Sequence, residues 1–354
     1  MNKVFVLCLL VVLPFAVQAA EEKNSESFGR TAISVVVEPA SEFIVRQVLS
    51  RLPEKQLKAA PQVRIANDKK ALKLFCLGEQ AQHPDIVVVT RQMNEQERKL
   101  CGERLAGVTQ IKLGYDAVVL AAHAQNPLQS IDSKTLFLAL ARDVPRPDSK
   151  VPGMFIANPS RQWKSLGLKL DKPVRILGPA MATQAGRSVQ QLAMEPGCRQ
   201  WDWVAEMKYS QRNRKLYRAV CHQPREDGAF IAVEDAAELV SMLRKDRHAV
   251  GFMTFNDWQK HGKGLRTLPI DGLPATMKTI AAGLYPMSRS YYAYIKHGAL
   301  TRVPGVAYFL NELASDEALQ AGGYLHRAGM LPLSGSERKK QIIQANELTV
   351  MPWE

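Results

Sequence analysis

No two cysteines in this chain are spaced as a CxxC pair, and its seven histidines are scattered. A structural metal site needs clustered thiolates and imidazoles, so neither a metal nor a cofactor is expected. An enzyme is not expected either. Hydrolytic chemistry requires a nucleophile with a positioned base, and His222 and His248 have no evident partner. Internal repeats and low-complexity segments are missing, which leaves compact domains. Beyond the first 20 residues no apolar run is long enough for a membrane helix, so the mature chain is expected to be soluble. Aromatic residues make up only 7% and are not interleaved with basic ones, so the net charge of +13 does not read as a nucleic-acid surface.

What is present begins with an export signal at residues 1–20. Lys3 supplies the positive start, Val4 to Leu13 the apolar core, and Val17-Gln18-Ala19-Ala20 the small-residue cleavage site. Cleavage near Ala19 or Ala20 implies a periplasmic protein. Cys8 lies inside the apolar core and not at the cleavage point, which argues against a lipid anchor. Export permits disulfides. Four cysteines remain, and three pairings are possible. Cys76–Cys101 and Cys198–Cys221 are favoured because each closes a local loop, worth roughly 3 kcal/mol. About 330 mature residues exceed one comfortable core, so two lobes are expected. The positive charge fits either an anionic small ligand in a cleft or a basic surface facing a membrane. Runs such as Arg212 to Arg218 and Arg338 to Lys340 read as solvated surface.

Asp85 to Met93 and Leu113 to Ala121 are valine-rich runs that read as buried strands. The first ends in Thr90-Arg91, and the second is interrupted by Gly114 and Asp116. Ligands of open α/β sheets collect where strands end and topology switches, which puts Thr90 and Asp116 at such a point between lobes. Elsewhere Thr31 to Val37, Gln62 to Ala66, Val174 to Leu177, Phe230 to Val233, Ala249 to Met253 and Tyr291 to Ile295 read as strands. Helices are expected over Phe43–Leu52 capped by Ser41, from an Asn67 or Asp68 cap through Lys73-Leu-Phe-Cys76, and over Glu95–Cys101 capped by Asn94 with Glu97. Others follow over Lys134–Ala141 capped by Ser133, Ser188–Met194, Asp235–Arg244, Val306–Leu313 and Ser315–Tyr324. Arg146-Pro147 and Pro152-Gly153 mark a surface loop. Strands alternating with helices make the chain α/β.

Taken in order, these segments resemble the periplasmic phosphate-binding proteins of ABC-type phosphate transporters. The likeness runs from Leu74-Phe-Cys76 through Asp85 to Met93, Leu113 to Leu120, Gly178-Pro179 and Met194-Glu-Pro-Gly-Cys198. It continues through Ala219-Val-Cys-His222, Arg225-Glu-Asp-Gly-Ala229, Ala249-Val-Gly-Phe252, Tyr285 to Arg289, Gly323-Tyr-Leu325 and Gly329 to Leu333. The resemblance implies a type 2 periplasmic binding protein fold with mixed sheets flanked by helices. Its first lobe would comprise residues 28–118 and 287–354, its second residues 119–286, with a doubly crossed hinge between them. It implies a monomer that clamps inorganic phosphate or a similar oxyanion and delivers it to a membrane permease, without chemistry on the ligand and without nucleic acid. The alternative is a ligand-divergent relative acting as a sensor partner or envelope interaction protein.

Three loops depart from the family pattern. A Gly-Ser-Ser-Thr type turn is replaced by Glu38-Pro39-Ala40-Ser41, a Gly/Ser-rich loop by Asn67 to Ala71, and a Ser-Gly-Thr-Arg turn by Thr183 to Gly186 with Arg187 one step late. Pro39 deletes a backbone donor, and bulkier residues crowd an approaching anion. The resemblance places the ligand on Ser41, Thr90, Asp116, Thr183 and Arg187. Asp116 would accept a proton that phosphate carries and sulfate lacks. Ser41 and Thr183 also read as helix caps, and Thr90 as a plain strand residue. Lys69 and Lys70 are further candidates for replacing lost donors. Arg91 reads as a salt-bridge residue, Arg225 and Asp227 as an internal ion pair, and Trp201, Trp203 and Trp258 as packing.

Overall fold

The computed structural model describes residues 31–146 and 154–353. The export signal, Cys8 and the Pro147 to Gly153 part of the expected loop lie outside the described residues. Among the described residues no helix is long and apolar enough to cross a membrane, and no group of three potential metal ligands occurs.

β-Branched runs build one mixed sheet. Its strands are β1 (Ser34–Val37), β2 (Gln62–Ile65), β3 (Ile86–Val89), β4 (Val108–His123), β7 (Ile176–Pro179), β8 (Phe230–Val233), β9 (Val250–Thr254), β10 (Leu265–Thr267) and β11 (Ser288–Lys296). A small separate ribbon is formed by β5 (Asp143–Pro145) and β6 (Phe155–Ala157). The sheet order is β2-β1-β3-β11-β4-β9-β7-β8, with β10 also on β4. Pairing is parallel within β2-β1-β3 and within β9-β7-β8, and antiparallel where β11 and β4 join these groups. Helices flank the sheet on both sides, giving a two-lobed α/β protein.

The 16-residue β4 joins the lobes. Ile111 and Leu113 belong to the core built on β1 and β3, whereas residues from Tyr115 onward belong to the core built on β7 and β9. Gly114 and Asp116 do not break the strand, as the isolated sequence suggested. Instead the register against β11 shifts between Tyr291 and Tyr292, with Leu113 the extra, unpaired residue of a bulge in β4. Gly114 is needed for close approach, because a Cβ there would lie 2.5 Å from the Leu331 carbonyl oxygen. Leu331 bridges to Tyr115 and packs, with Leu333, into the second core. The helix Gly335–Asn346 then returns across β4, where the Tyr115 hydroxyl donates to Glu337 at 3.1 Å.

Two expected caps are corrected. Ser41 makes no capping bond; Glu38, three residues earlier, accepts from the Ala40 N–H at 2.7 Å. Asp132 caps the helix Ser133–Leu140 through Thr135 N–H, and the Ser133 hydroxyl is drawn off to Asp271 at 2.6 Å. In each case a carboxylate, the stronger acceptor, takes the N–H. Asn94 and Glu97 do form the expected capping box. Both favoured disulfides are present, Cys76–Cys101 in one lobe and Cys198–Cys221 in the other.

Candidate functional site

The junction of the lobes is unusually polar for a place so buried. Arg289 on β11 stands opposite Asp116 on β4, and the two form a buried ion pair at 2.7 Å. The Asp116 Oδ2 atom accepts from Arg289 Nε and Nη2, and from the Ser188 hydroxyl at 2.8 Å. Arg289 Nη1 also donates to Gln191 Oε1. Burial alone would lower the Arg289 pKa, but the Asp116 carboxylate raises it, so the guanidinium stays charged. Ser188 and Gln191 come from the continuous helical stretch that follows β7, first α-helix (Gln184–Ser188), then a π-turn (Val189–Met194). Gly186 lets that stretch start tightly, since a Cβ there would lie 2.2 Å from the Ala180 carbonyl oxygen.

Glu38, at the end of β1, completes the network. It is 7% exposed. Burial pushes its carboxyl up to about 7; Arg289 and the bonds from Ala40 and Gln191 pull the other way and lose. A carboxyl poised there can donate a hydrogen bond when protonated and accept one when ionised. In the sequence alone Glu38 is only the first residue of an altered loop. A charged residue beside Pro39 at the end of a valine run was the available signal.

Above this network lies a cleft of about 220 Å³ lined by Pro39, Ala40, Glu42, Phe43, Arg46, Gln184 and Arg187. Arg46 is neutralised by Glu42 one turn away. Arg187 donates to the Ala182 carbonyl at 2.8 Å and has no carboxylate partner among the described residues. Ser41, between Ala40 and Glu42 in sequence, is fully buried behind this wall and does not line it, and its hydroxyl makes no hydrogen bond.

The remaining candidates have other partners. The Thr90 N–H and hydroxyl both donate to Asp68, at 3.0 and 2.9 Å, so a carboxylate already occupies the place of an anion. Thr183 caps its helix at Gly186 N–H and donates to the Ala180 carbonyl; it lines a different, larger cavity. Arg187 thus lines the small cleft, Ser41 is buried behind its Ala40 and Glu42 wall, and Asp116 belongs to the network of Arg289 and Ser188, while Thr90 and Thr183 are engaged elsewhere. Lys70 is exposed, and Lys69 lies over the Tyr209 ring. Arg91 is forked onto Glu97, and Arg225 pairs with Asp227. Trp201 packs edge-on to Phe137 and Trp203 against Phe155.

A family model described as a PBP superfamily domain matches residues 19–317. Protein SphX of Synechococcus elongatus is 23% identical over 336 residues, which is 91% of this chain and 84% of that protein. Among solved structures, a possible phosphate binding protein from Planctomyces limnophilus matches with TM-score 0.63 and 17% identity, over 90% of this chain and 100% of that one. PstS from Borrelia burgdorferi matches with TM-score 0.52 and 14% identity, over 86% and 99%. At these identities the structural matches establish the fold.

Proposed function

The chain belongs to the PBP superfamily, and we propose that it is an extracytoplasmic solute-binding protein that holds phosphate, or a related protonated oxyanion, between its lobes. The observation that carries this reading is the Ser41 hydroxyl, buried without a partner behind the wall of a cleft whose Arg187 has no carboxylate partner among the described residues. A buried donor left unpaired costs about 1–3 kcal/mol. An oxyanion accepting from it removes that cost and meets the guanidinium. Glu38 and Asp116 add discrimination: a protonated oxyanion can donate to a carboxylate, whereas sulfate presents only acceptors. The name of one structural match, a possible phosphate binding protein, agrees with this ligand class. Delivery from the periplasm to an ABC permease, by a monomer that does no chemistry on its cargo, follows as the role.

One observation favours a second reading. Asp68 already consumes both donors of Thr90, which a ligand-divergent relative serving as a sensor partner or envelope interaction protein would tolerate. Calorimetry separates the two. Phosphate or arsenate should bind with measurable heat and sulfate more weakly; no heat and no thermal shift with phosphate, arsenate, sulfate or phosphonates would leave the second reading standing.

A further inference from the structure

The cavity that holds Thr183 has a volume of about 720 Å³, within the range of small-molecule sites and more than three times that of the inter-lobe cleft. It lies where β7, β8 and β9 end, the place where α/β sheets collect ligands. Its walls are apolar, formed by Val233, Ala236, Phe252 and Met253 among others. Its charged lining groups are the carboxylates of Glu234, Asp235 and Asp257, with His261 beside them and no Lys or Arg. Asp235 accepts from the Glu238 N–H, and Asp257 from the Thr254 hydroxyl, both neutral donors. None of the three carboxylates has a cationic partner among the described residues, in a chain whose net charge is +13.

From this complementarity we propose that the cavity is a second binding site, for a small organic cation with an apolar body. The apolar part displaces water from the alanine, valine and methionine walls. The cationic head meets carboxylates that have no Lys or Arg partner among the described residues, and the same carboxylates repel anions. The site is therefore independent of oxyanion capture between the lobes. It also gives Thr183 a setting in which its hydroxyl, already bonded to Ala180, is part of the wall.

The probe is benzyltrimethylammonium, titrated calorimetrically into the full protein, with benzyl alcohol and benzenesulfonate as neutral and anionic controls. The methyl resonance of Met253, labelled with carbon-13, reports location. The cation should bind at least tenfold more tightly than the alcohol, the sulfonate should not bind, and the Met253 signal should move. Ala236→Trp, at a half-buried wall position, should weaken the cation at least tenfold. The triple substitution Glu234→Gln with Asp235→Asn and Asp257→Asn should bring its affinity down to that of the alcohol. The proposal is overturned by no saturable binding of the cation, by binding that leaves Met253 unmoved, or by unchanged affinity in either variant.

Discussion

The cleft between the lobes and the cavity within the second lobe lie on either side of one loop, and they are built from opposite chemistry. The cleft is small, carries Arg46 and Arg187, and rests on a buried network of Glu38, Asp116, Ser188, Gln191 and Arg289. The cavity is large, mostly apolar, and edged by three carboxylates and His261 with no Lys or Arg. The segment from Gly178 to Ser188 serves both, turning Thr183 to the cavity and Arg187 to the cleft. A loop that in the resembling family forms one anion-binding turn is here divided between two environments. Charge placement, more than the fold, decides which ligand each recess suits.

The largest effect should come from the network under the cleft. Asp116→Ala leaves Arg289 buried and unpaired, and should cost about 3–5 kcal/mol in urea denaturation. Glu234→Ala at the cavity edge is exposed and should stay within about 0.5 kcal/mol. Equal losses would erase the contrast between the two recesses.

Next comes pH. Because the folded Glu38 pKa lies near 7 against 4.5 when unfolded, the folded state holds the proton more tightly. Its stabilisation is fully present below pH 4.5 and is lost as pH rises through about 7, a change on the order of 3 kcal/mol. Glu195 works the other way. Burial raises its pKa, but the bond from His222 and the charge of Lys208 outweigh burial and hold it at about 2. Its contribution is present above pH 4.5 and lost as pH falls toward 2. Glu38→Gln should remove the loss between pH 4.5 and 7 and leave the acid limb intact, as read by melting temperature against pH.

Smaller still, Arg187→Ala should weaken phosphate roughly 10- to 100-fold, corresponding to a charged hydrogen bond of about 1.5–3 kcal/mol. It should leave benzyltrimethylammonium binding unchanged. Ala236→Trp should do the reverse while shifting stability by no more than about 0.5 kcal/mol. If either variant disturbs both ligands, the recesses are one site and the comparison fails.

The scaffold was legible because its signals are local. Valine runs mark β1, β3 and β4, Asn94 and Glu97 stand at capping-box distance, and each disulfide closes a short loop. Where the sequence misled, a distant contact decided. Gly114 looks like a strand breaker until Leu331 is seen lying against it. The helix Gly335–Asn346 is disguised by Arg338-Lys339-Lys340, and among its residues only Ala345 is fully buried. The binding network was the least legible part. Asp116 and Arg289 are 173 residues apart and become neighbours only through the β4–β11 register. Ser41 and Thr90 carry the same hydroxyl chemistry, yet Asp68 satisfies one and nothing satisfies the other.

That unsatisfied hydroxyl allows the most direct test of oxyanion capture between the lobes: phosphate affinity of Ser41→Ala beside the wild type, with melting temperatures measured in the absence of ligand. The account predicts phosphate binding weakened roughly 10- to 100-fold, because a hydrogen bond to a charged acceptor is lost, and a ligand-free protein at least as stable as the wild type, because an unpaired buried donor is removed. Equal phosphate affinity in the two proteins would contradict it.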